Sequence, residues 1–189
     1  MTSTSRNYFE EMYAESDDPW DFATSDYEQR KYALTVASLP RAHYANAFEP
    51  GCSVGVLSEY LAPRCHRLLA SDIIMAPLTR AVDRLERYPN VQVEERSIPD
   101  EWPDEIFDLI VLSEIAYYFD VETLRIVIDL ILGTTVSGAH VIAVHWRGQT
   151  DYPLSGDSAH AVIDQSEKLR LIVHHEENEF VMDVWERLP

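Results

Sequence analysis

The residues best suited to chemistry lie in the segment Phe48-Glu49-Pro50-Gly51-Cys52-Ser53-Val54-Gly55. Gly51 and Gly55 mark a place where the backbone must turn sharply and approach a ligand without a Cβ in the way. A helix starting just beyond them offers free N–H groups and a partial positive charge, which suits a carboxylate or hydroxyl of that ligand. Glu49 sets a carboxylate beside a positive group on the same ligand. Seventeen residues past Gly55 stands Asp72, closing the run Leu69-Ala70-Ser71. An acid at that distance is placed to take both hydroxyls of a ribose. A dinucleotide fingerprint would need glycine at 51, 53 and 56, but the chain has Gly51, Ser53 and Val56. Only one of the three glycines of that fingerprint is kept.

A second group follows the apolar run Phe107–Ser113: Glu114, then Ile115-Ala116-Tyr117-Tyr118-Phe119. An acid directly after a buried run needs a partner or a task. Glu114 is therefore the first candidate to take a proton or face a developing positive charge. His145 is the second, and Tyr117 is a wall or hydrogen-bond partner. The plainer reading makes Tyr117, Tyr118 and His145 satisfied core residues. Glu49 and Asp72 likewise admit a reading as strand-end caps. His174 and His175 have no carboxylate at metal spacing, and no metal is expected.

The elements that must position these residues alternate in type. Strands are expected at Ala45–Glu49, Arg67–Ser71, Val91–Glu95, Phe107–Ser113 and Ala139–His145, with helices at Ser53–Leu61, Ala76–Arg87 and Val121–Leu132. Phe107–Ser113 is apolar enough to be buried on both faces. A weaker helix is expected at Ser158–Glu167, followed by Leu169–Glu176 and Glu179–Arg187 as a hairpin around Glu177-Asn178. Ahead of all this stand helices at Asn7–Ala14 and Asp26–Leu39, the second opened by Ser25 or Asp26 and ended by Pro40. The alternation implies an α/β fold with a doubly wound, mostly parallel sheet of seven strands and an antiparallel C-terminal hairpin.

The pattern Glu-x-Gly-x-Ser-x-Gly resembles the first motif of class I methyltransferases, with serine in place of the middle glycine. A Rossmann-like methyltransferase fold with a helical N-terminal lead is what this implies, with S-adenosylmethionine as cofactor. By the same resemblance Glu49 lies beside the methionine moiety, and Asp72 with Ile73 on the ribose. Ser97 and Ile98, after the third strand, would face the adenine. Phe107–Ser113 with Glu114 resembles the fourth motif, so Ser113 and Glu114 would flank the reactive methyl.

A narrower resemblance lies in Asp18-Pro19-Trp20-Asp21-Phe22, running on to Tyr27-Glu28-Gln29-Arg30-Lys31-Tyr32, and in His145-Trp146-Arg147 with Asp151-Tyr152-Pro153-Leu154-Ser155-Gly156-Asp157. These segments are similar to those of the nodulation protein S family, methyltransferases whose namesake N-methylates the deacetylated sugar of a chitooligosaccharide precursor. The resemblance implies N-methylation of an amino group on a small molecule or oligosaccharide. It also makes Trp20 and Arg30 candidates for cofactor contact, Arg30 as a clamp on the methionine carboxylate. Trp20 and Phe22 equally read as packing, and Arg30 as one half of a surface ion pair. Residues 148–157 would form part of a substrate lid, with Tyr152 stacking on a sugar or aromatic ring.

Composition sets the outer bounds. With 189 residues, 46% hydrophobic and 25% charged, the chain fits one globular domain, residues 1–40 as lead or lid and 41–189 as core. A net charge of −18 argues against nucleic acid and permits a neutral or cationic acceptor. No apolar run is long enough for a membrane span. Residues 1–13 do not read as a signal peptide, and two cysteines outside any metal spacing suit the cytoplasm. Competing readings are methylation of an unrelated metabolite on O or N, a nicotinamide-dependent oxidoreductase, and a non-catalytic nucleoside-binding module. The broken fingerprint and the helical lead disfavour the oxidoreductase.

Overall fold

The computed structural model describes residues 2–189. The elements in order are α1 (Arg6–Glu15), α2 (Asp26–Ala37), β1 (Ala47–Pro50), α3 (Val56–Leu61), β2 (Leu68–Asp72), α4 (Met75–Leu85), β3 (Val91–Glu95) and β4 (Phe107–Ser113). They continue with α5 (Val121–Thr134), β5 (Thr135–Trp146), α6 (Gly156–Asp164), β6 (Leu169–Glu176) and β7 (Phe180–Arg187). Short 3-10 turns occupy Ala62–Arg64 and Ala116–Tyr118.

The strands form one sheet in the order β3-β2-β1-β4-β5-β7-β6, parallel except for β7, which runs antiparallel to both neighbours. This is the mostly parallel seven-stranded sheet with a terminal hairpin that the alternation predicts. The side chains of α5 and α6 pack on one face with Phe48, Ile110 and Trp185, while α2 and α3 pack on the other with Leu68, Val111 and Ile142. Ser25 caps α2 by accepting from Glu28 N–H, and Asp120 caps α5 by accepting from Thr123 N–H.

Among the boundaries that differ from expectation, three have clear local reasons. Ala45 and Asn46 are not in β1; their N–H groups donate to the Asp108 carboxylate instead. The first helix of the core starts at Val56 rather than Ser53, because Ser53 and Gly55 hold positive φ of 49° and 76°. β5 starts at Thr135 rather than Ala139; in its first four residues, Thr135-Val136-Ser137-Gly138, the one apolar side chain, Val136, is exposed, so no buried apolar run marks the start.

The chain leaves β1 outward to β2 and β3, then returns to β4 on the other side of β1. The carboxyl ends of β1 and β4 therefore border the switch point, where the connecting loops diverge and leave a crevice.

Candidate active site

A cavity of about 530 Å³ occupies that crevice, within the usual range for a small-molecule site. It is lined by the loops after β1 (Glu49, Gly51–Val54), β2 (Asp72, Ile73), β3 (Arg96–Asp100) and β4 (Ser113–Ile115). Trp20 and Phe22 close one side, and Ser3, Arg6, Phe9 and Tyr13 of the N-terminal segment another. Of the residues expected to contact a cofactor, Trp20, Glu49, Gly51, Ser53, Asp72, Ile73, Ser97, Ile98 and Ser113 all face this one cavity.

The glycine loop is held from below. Ser53 N–H donates to Asp72 Oδ2 at 2.9 Å and Ile74 N–H to Asp72 Oδ1 at 3.0 Å. Asp72 thus spends one lone pair of each oxygen on ordering its own loops. Burial still pushes its carboxyl up to about 6, with those amides opposing. Arg84 of α4 ties the loop further by donating to Val54 O. Gly51 has φ 76°, and a Cβ there would lie 3.0 Å from Ile115 Cδ1. Ser53 sits in the left-handed region where the motif elsewhere has glycine, and its Oγ lies 2.5 Å from Tyr13 OH. The serine therefore joins the loop to α1.

Glu49 is 2% exposed and accepts from Ser58 Oγ at 2.6 Å through Oε2. Its Oε1 has no hydrogen-bonding partner among the described residues. Burial pushes this carboxyl up to about 8, only partly offset by Ser58.

Glu114 lines the cavity with φ 53°. Its Oε1 accepts from Lys31 Nζ at 2.5 Å, and its Oε2 from Tyr117 OH at 2.6 Å and Trp146 N–H at 3.0 Å. Lys31, 1% exposed, also donates to Glu28 Oε1 at 2.8 Å.

Several expectations need correction. Arg30 lies outside the cavity lining; both of its terminal nitrogens donate to Glu177 at 2.8 Å, the surface ion pair of the plainer reading. Gly55 is also outside the lining, and a Cβ there would meet Ala81 of α4 at 3.0 Å, so this glycine serves helix packing. His145 is fully buried, with Nε2 accepting from Ala116 N–H, and cannot reach the cavity as a base. Tyr117 is buried and turned toward Glu114, while its neighbour Tyr118 lines the cavity. Tyr152 is stacked on Tyr117 at 5.1 Å between centroids and lies outside the cavity lining.

Lys31, Tyr13, Arg96 and the α1 residues were absent from the expected site. α1 covers the cavity through contacts at both ends: at its start Thr4 N–H donates to Tyr118 O, Ser3 donates to Asp120 and Arg6 donates to Glu95, and near its end Tyr13 OH meets Ser53 Oγ.

With this geometry established, comparison with known proteins places the chain. The sequence profile of nodulation protein S (NodS) matches residues 5–149. Nodulation protein S of Rhizobium tropici is 30% identical over 129 residues, 67% of this chain and 54% of that protein. Its counterpart in Bradyrhizobium diazoefficiens is 34% identical over 119 residues, 62% of this chain and 57% of that one. The chain thus spans little more than half the length of these relatives. Among solved structures, a candidate methyltransferase from Pseudomonas syringae is 38% identical with a TM-score of 0.76, covering 85% of this chain and 99% of that one. The N-methyltransferase NodS of Bradyrhizobium japonicum WM9, in complex with S-adenosyl-L-homocysteine, superposes with a TM-score of 0.82 at 23% identity, covering 96% and 97%. That likeness shows a shared class I methyltransferase fold. By its profile match and its sequence identity, the chain belongs to the nodulation protein S family.

Proposed function

We propose that the protein is an S-adenosylmethionine-dependent N-methyltransferase acting on an amino group of a small molecule or oligosaccharide. The observation that carries this reading is the placing of Glu49, Gly51, Ser53, Asp72, Ser97, Ile98 and Glu114 around one cavity at the sheet's switch point. The residues fit the cofactor. The Glu49 side chain is buried and lines the cavity, and its Oε1, left free by Ser58, is suited to an ammonium group, while Gly51 leaves room where a Cβ would meet Ile115. Asp72, Ile73, Ser97 and Ile98 form the wall suited to the nucleoside. Membership of a family that includes an N-methyltransferase solved with S-adenosyl-L-homocysteine supports the same assignment.

When bound, S-adenosylmethionine supplies an electrophilic methyl group on a sulfonium. The chain needs to hold the amine in line, keep water out and accommodate the positive charge that develops on nitrogen. Glu114 fits the last task. Its carboxylate borders the cavity and is fixed by three donors, only one of them on Oε1, so it acts as a stationary acceptor. Tyr118 and Phe119, with α1, shield the same region from solvent. The net charge of −18 favours arrival of a cationic acceptor.

In this reading residues 1–189 work as one unit, with residues 1–40 as a lid over the core. No helix among the described residues is long and apolar enough to cross a membrane. Cys52 and Cys65 are buried free thiols, which supports a reducing, cytoplasmic setting.

The test is calorimetric titration with S-adenosylmethionine and S-adenosylhomocysteine, with NAD as control, followed by turnover on glucosamine and its oligomers. Micromolar binding of the sulfur nucleosides with methylated amine product is expected. Folded protein that binds neither nucleoside defeats the proposal.

A further inference from the structure

His145 forms the inner end of a buried hydrogen-bonded chain. Ala116 N–H donates to His145 Nε2 at 2.9 Å, and His145 Nδ1 lies 2.9 Å from His160 Nε2. His160 Nδ1 lies 2.6 Å from Asp183 Oδ2, and Asp183 Oδ1 lies 2.6 Å from His174 Nδ1. His145, His160 and Asp183 are each at most 5% exposed, whereas the His174 side chain is half exposed. The chain crosses β5, α6, β7 and β6 to reach the surface.

Only one placement of protons satisfies every contact. A backbone amide can only donate, so His145 Nε2 carries the lone pair and Nδ1 the proton. His145 then donates to His160 Nε2, which leaves the His160 proton on Nδ1, directed at the Asp183 carboxylate. Burial, reinforced by the nearby His160 and Lys31, holds His145 well below its ordinary pKa and hence neutral. His160 and His174 keep Asp183 ionised against its burial.

The amide at the inner end belongs to the turn that carries Glu114. A left-handed φ at a non-glycine residue is strained and persists only where its surroundings hold it. Three successive residues of β5 do so. Val144 O accepts from Glu114 N–H at 2.8 Å, His145 Nε2 accepts from Ala116 N–H, and Trp146 N–H donates to Glu114 Oε2. Gly156 lets α6 come close enough for His160 to take part, since a Cβ there would lie 2.6 Å from Trp146 O and 3.0 Å from His145 Cβ.

We propose that His145, His160 and Asp183 are positioning residues: a one-way hydrogen-bond relay that holds the Ala116 amide and, through it, the strained Glu114 turn facing the acceptor. The role in turnover rests on the methyltransferase reading; the relay itself does not.

The test combines histidine nitrogen NMR on the unaltered protein with substitutions at His145 and Gly156. The spectra are expected to put the proton on Nδ1 in both His145 and His160; a proton on His145 Nε2 overturns the relay. With glucosamine oligomers as acceptor, His145→Phe is expected to lower kcat by about tenfold or more, with S-adenosylhomocysteine affinity kept within about threefold. His145→Gln, whose Oε1 can accept the Ala116 N–H, is expected to restore most of kcat. Gln as inactive as Phe means that the imidazole is needed for its own proton chemistry, and the positioning role falls. Gly156→Ala, which moves α6 off β5, is expected to shift the His160 signals and lower kcat while cofactor affinity holds. A protein that binds no sulfur nucleoside ends the methyltransferase reading, and the spectra still decide the relay.

Discussion

Lys31 Nζ lies 2.5 Å from Glu114 Oε1, joining the middle of α2 to the end of β4 across 83 positions of sequence. Burial alone would lower the lysine's pKa, but the facing Glu114 and Glu28 outweigh it and hold the group above its ordinary value. Glu28 is pushed up by its own burial, with Lys31 opposing. Two carboxylates share one ammonium that is itself 1% exposed. Removing the ammonium leaves unpaired charge inside the protein, the costly way to break a buried ion pair. Lys31→Met is expected to destabilise the fold by about 3–5 kcal/mol. Adding Glu28→Leu to that variant should recover part of the loss. Urea denaturation measures both, and a cost below about 1 kcal/mol for Lys31→Met would show that the pair is not held as described.

Glu49 ties cofactor binding to protons. Its carboxyl is raised by burial to about 8, above the value of an unfolded chain. The stability linked to such a group is fully present below the ordinary carboxylate range and is lost as pH rises through about 8. An ammonium group placed against Glu49 favours the ionised form, so binding near pH 7 must expel a proton. Titration with S-adenosylhomocysteine in buffers of different ionisation enthalpy should reveal release of ~1 proton, and Glu49→Gln should abolish it. Asp72, raised to about 6, is already mostly ionised at that pH and adds little. A binding enthalpy independent of the buffer excludes contact between Glu49 and the ammonium.

The strands and α2 differ in how far their sequence announces them. The strands Val91–Glu95, Phe107–Ser113 and Leu169–Glu176 have the expected bounds because their apolar or alternating runs begin and end sharply. The glycine loop and Asp72 announced themselves by spacing, since one strand, one turn and one helix separate them whatever the rest of the fold does. Lys31 carried no such local signal. The buried positions of α2 are Glu28, Lys31, Tyr32 and Thr35, an i, i+3, i+4, i+7 stripe. Arg30 falls off that stripe. Reading two charges on the inward stripe would have pointed to Lys31 rather than Arg30, but its partner at position 114 is set by sheet order. The relay from His145 to Asp183 was hidden for the same reason: it crosses three elements, and no spacing rule reports it.

Arg30 and Trp20 separate the two readings that the sequence left open. Arg30 is spent on Glu177 at the hairpin tip, whereas Trp20 lines the cavity, stacked on Phe22 and edge-on to Tyr13. Arg30→Ala is expected to leave S-adenosylhomocysteine affinity within about twofold. Trp20→Ala should weaken it by about tenfold. Equal losses in the two variants would return Arg30 to the site.

Ser53 balances two opposed effects. Its left-handed backbone costs on the order of 1 kcal/mol relative to glycine, yet its hydroxyl makes the buried contact with Tyr13 OH that fastens α1 over the cavity. Ser53→Gly relieves the strain and forfeits the hydrogen bond, which is worth about 1 kcal/mol. Global stability should therefore change little. What changes is local: α1 loses its tie to the glycine loop while Ser3, Thr4 and Arg6 still hold its other end. Hydrogen exchange should accelerate in residues 10–15 and stay unchanged in the central strands. Uniform protection across α1 in Ser53→Gly would mean that the Tyr13 contact does not fasten the lid, and that serine at this position needs another explanation.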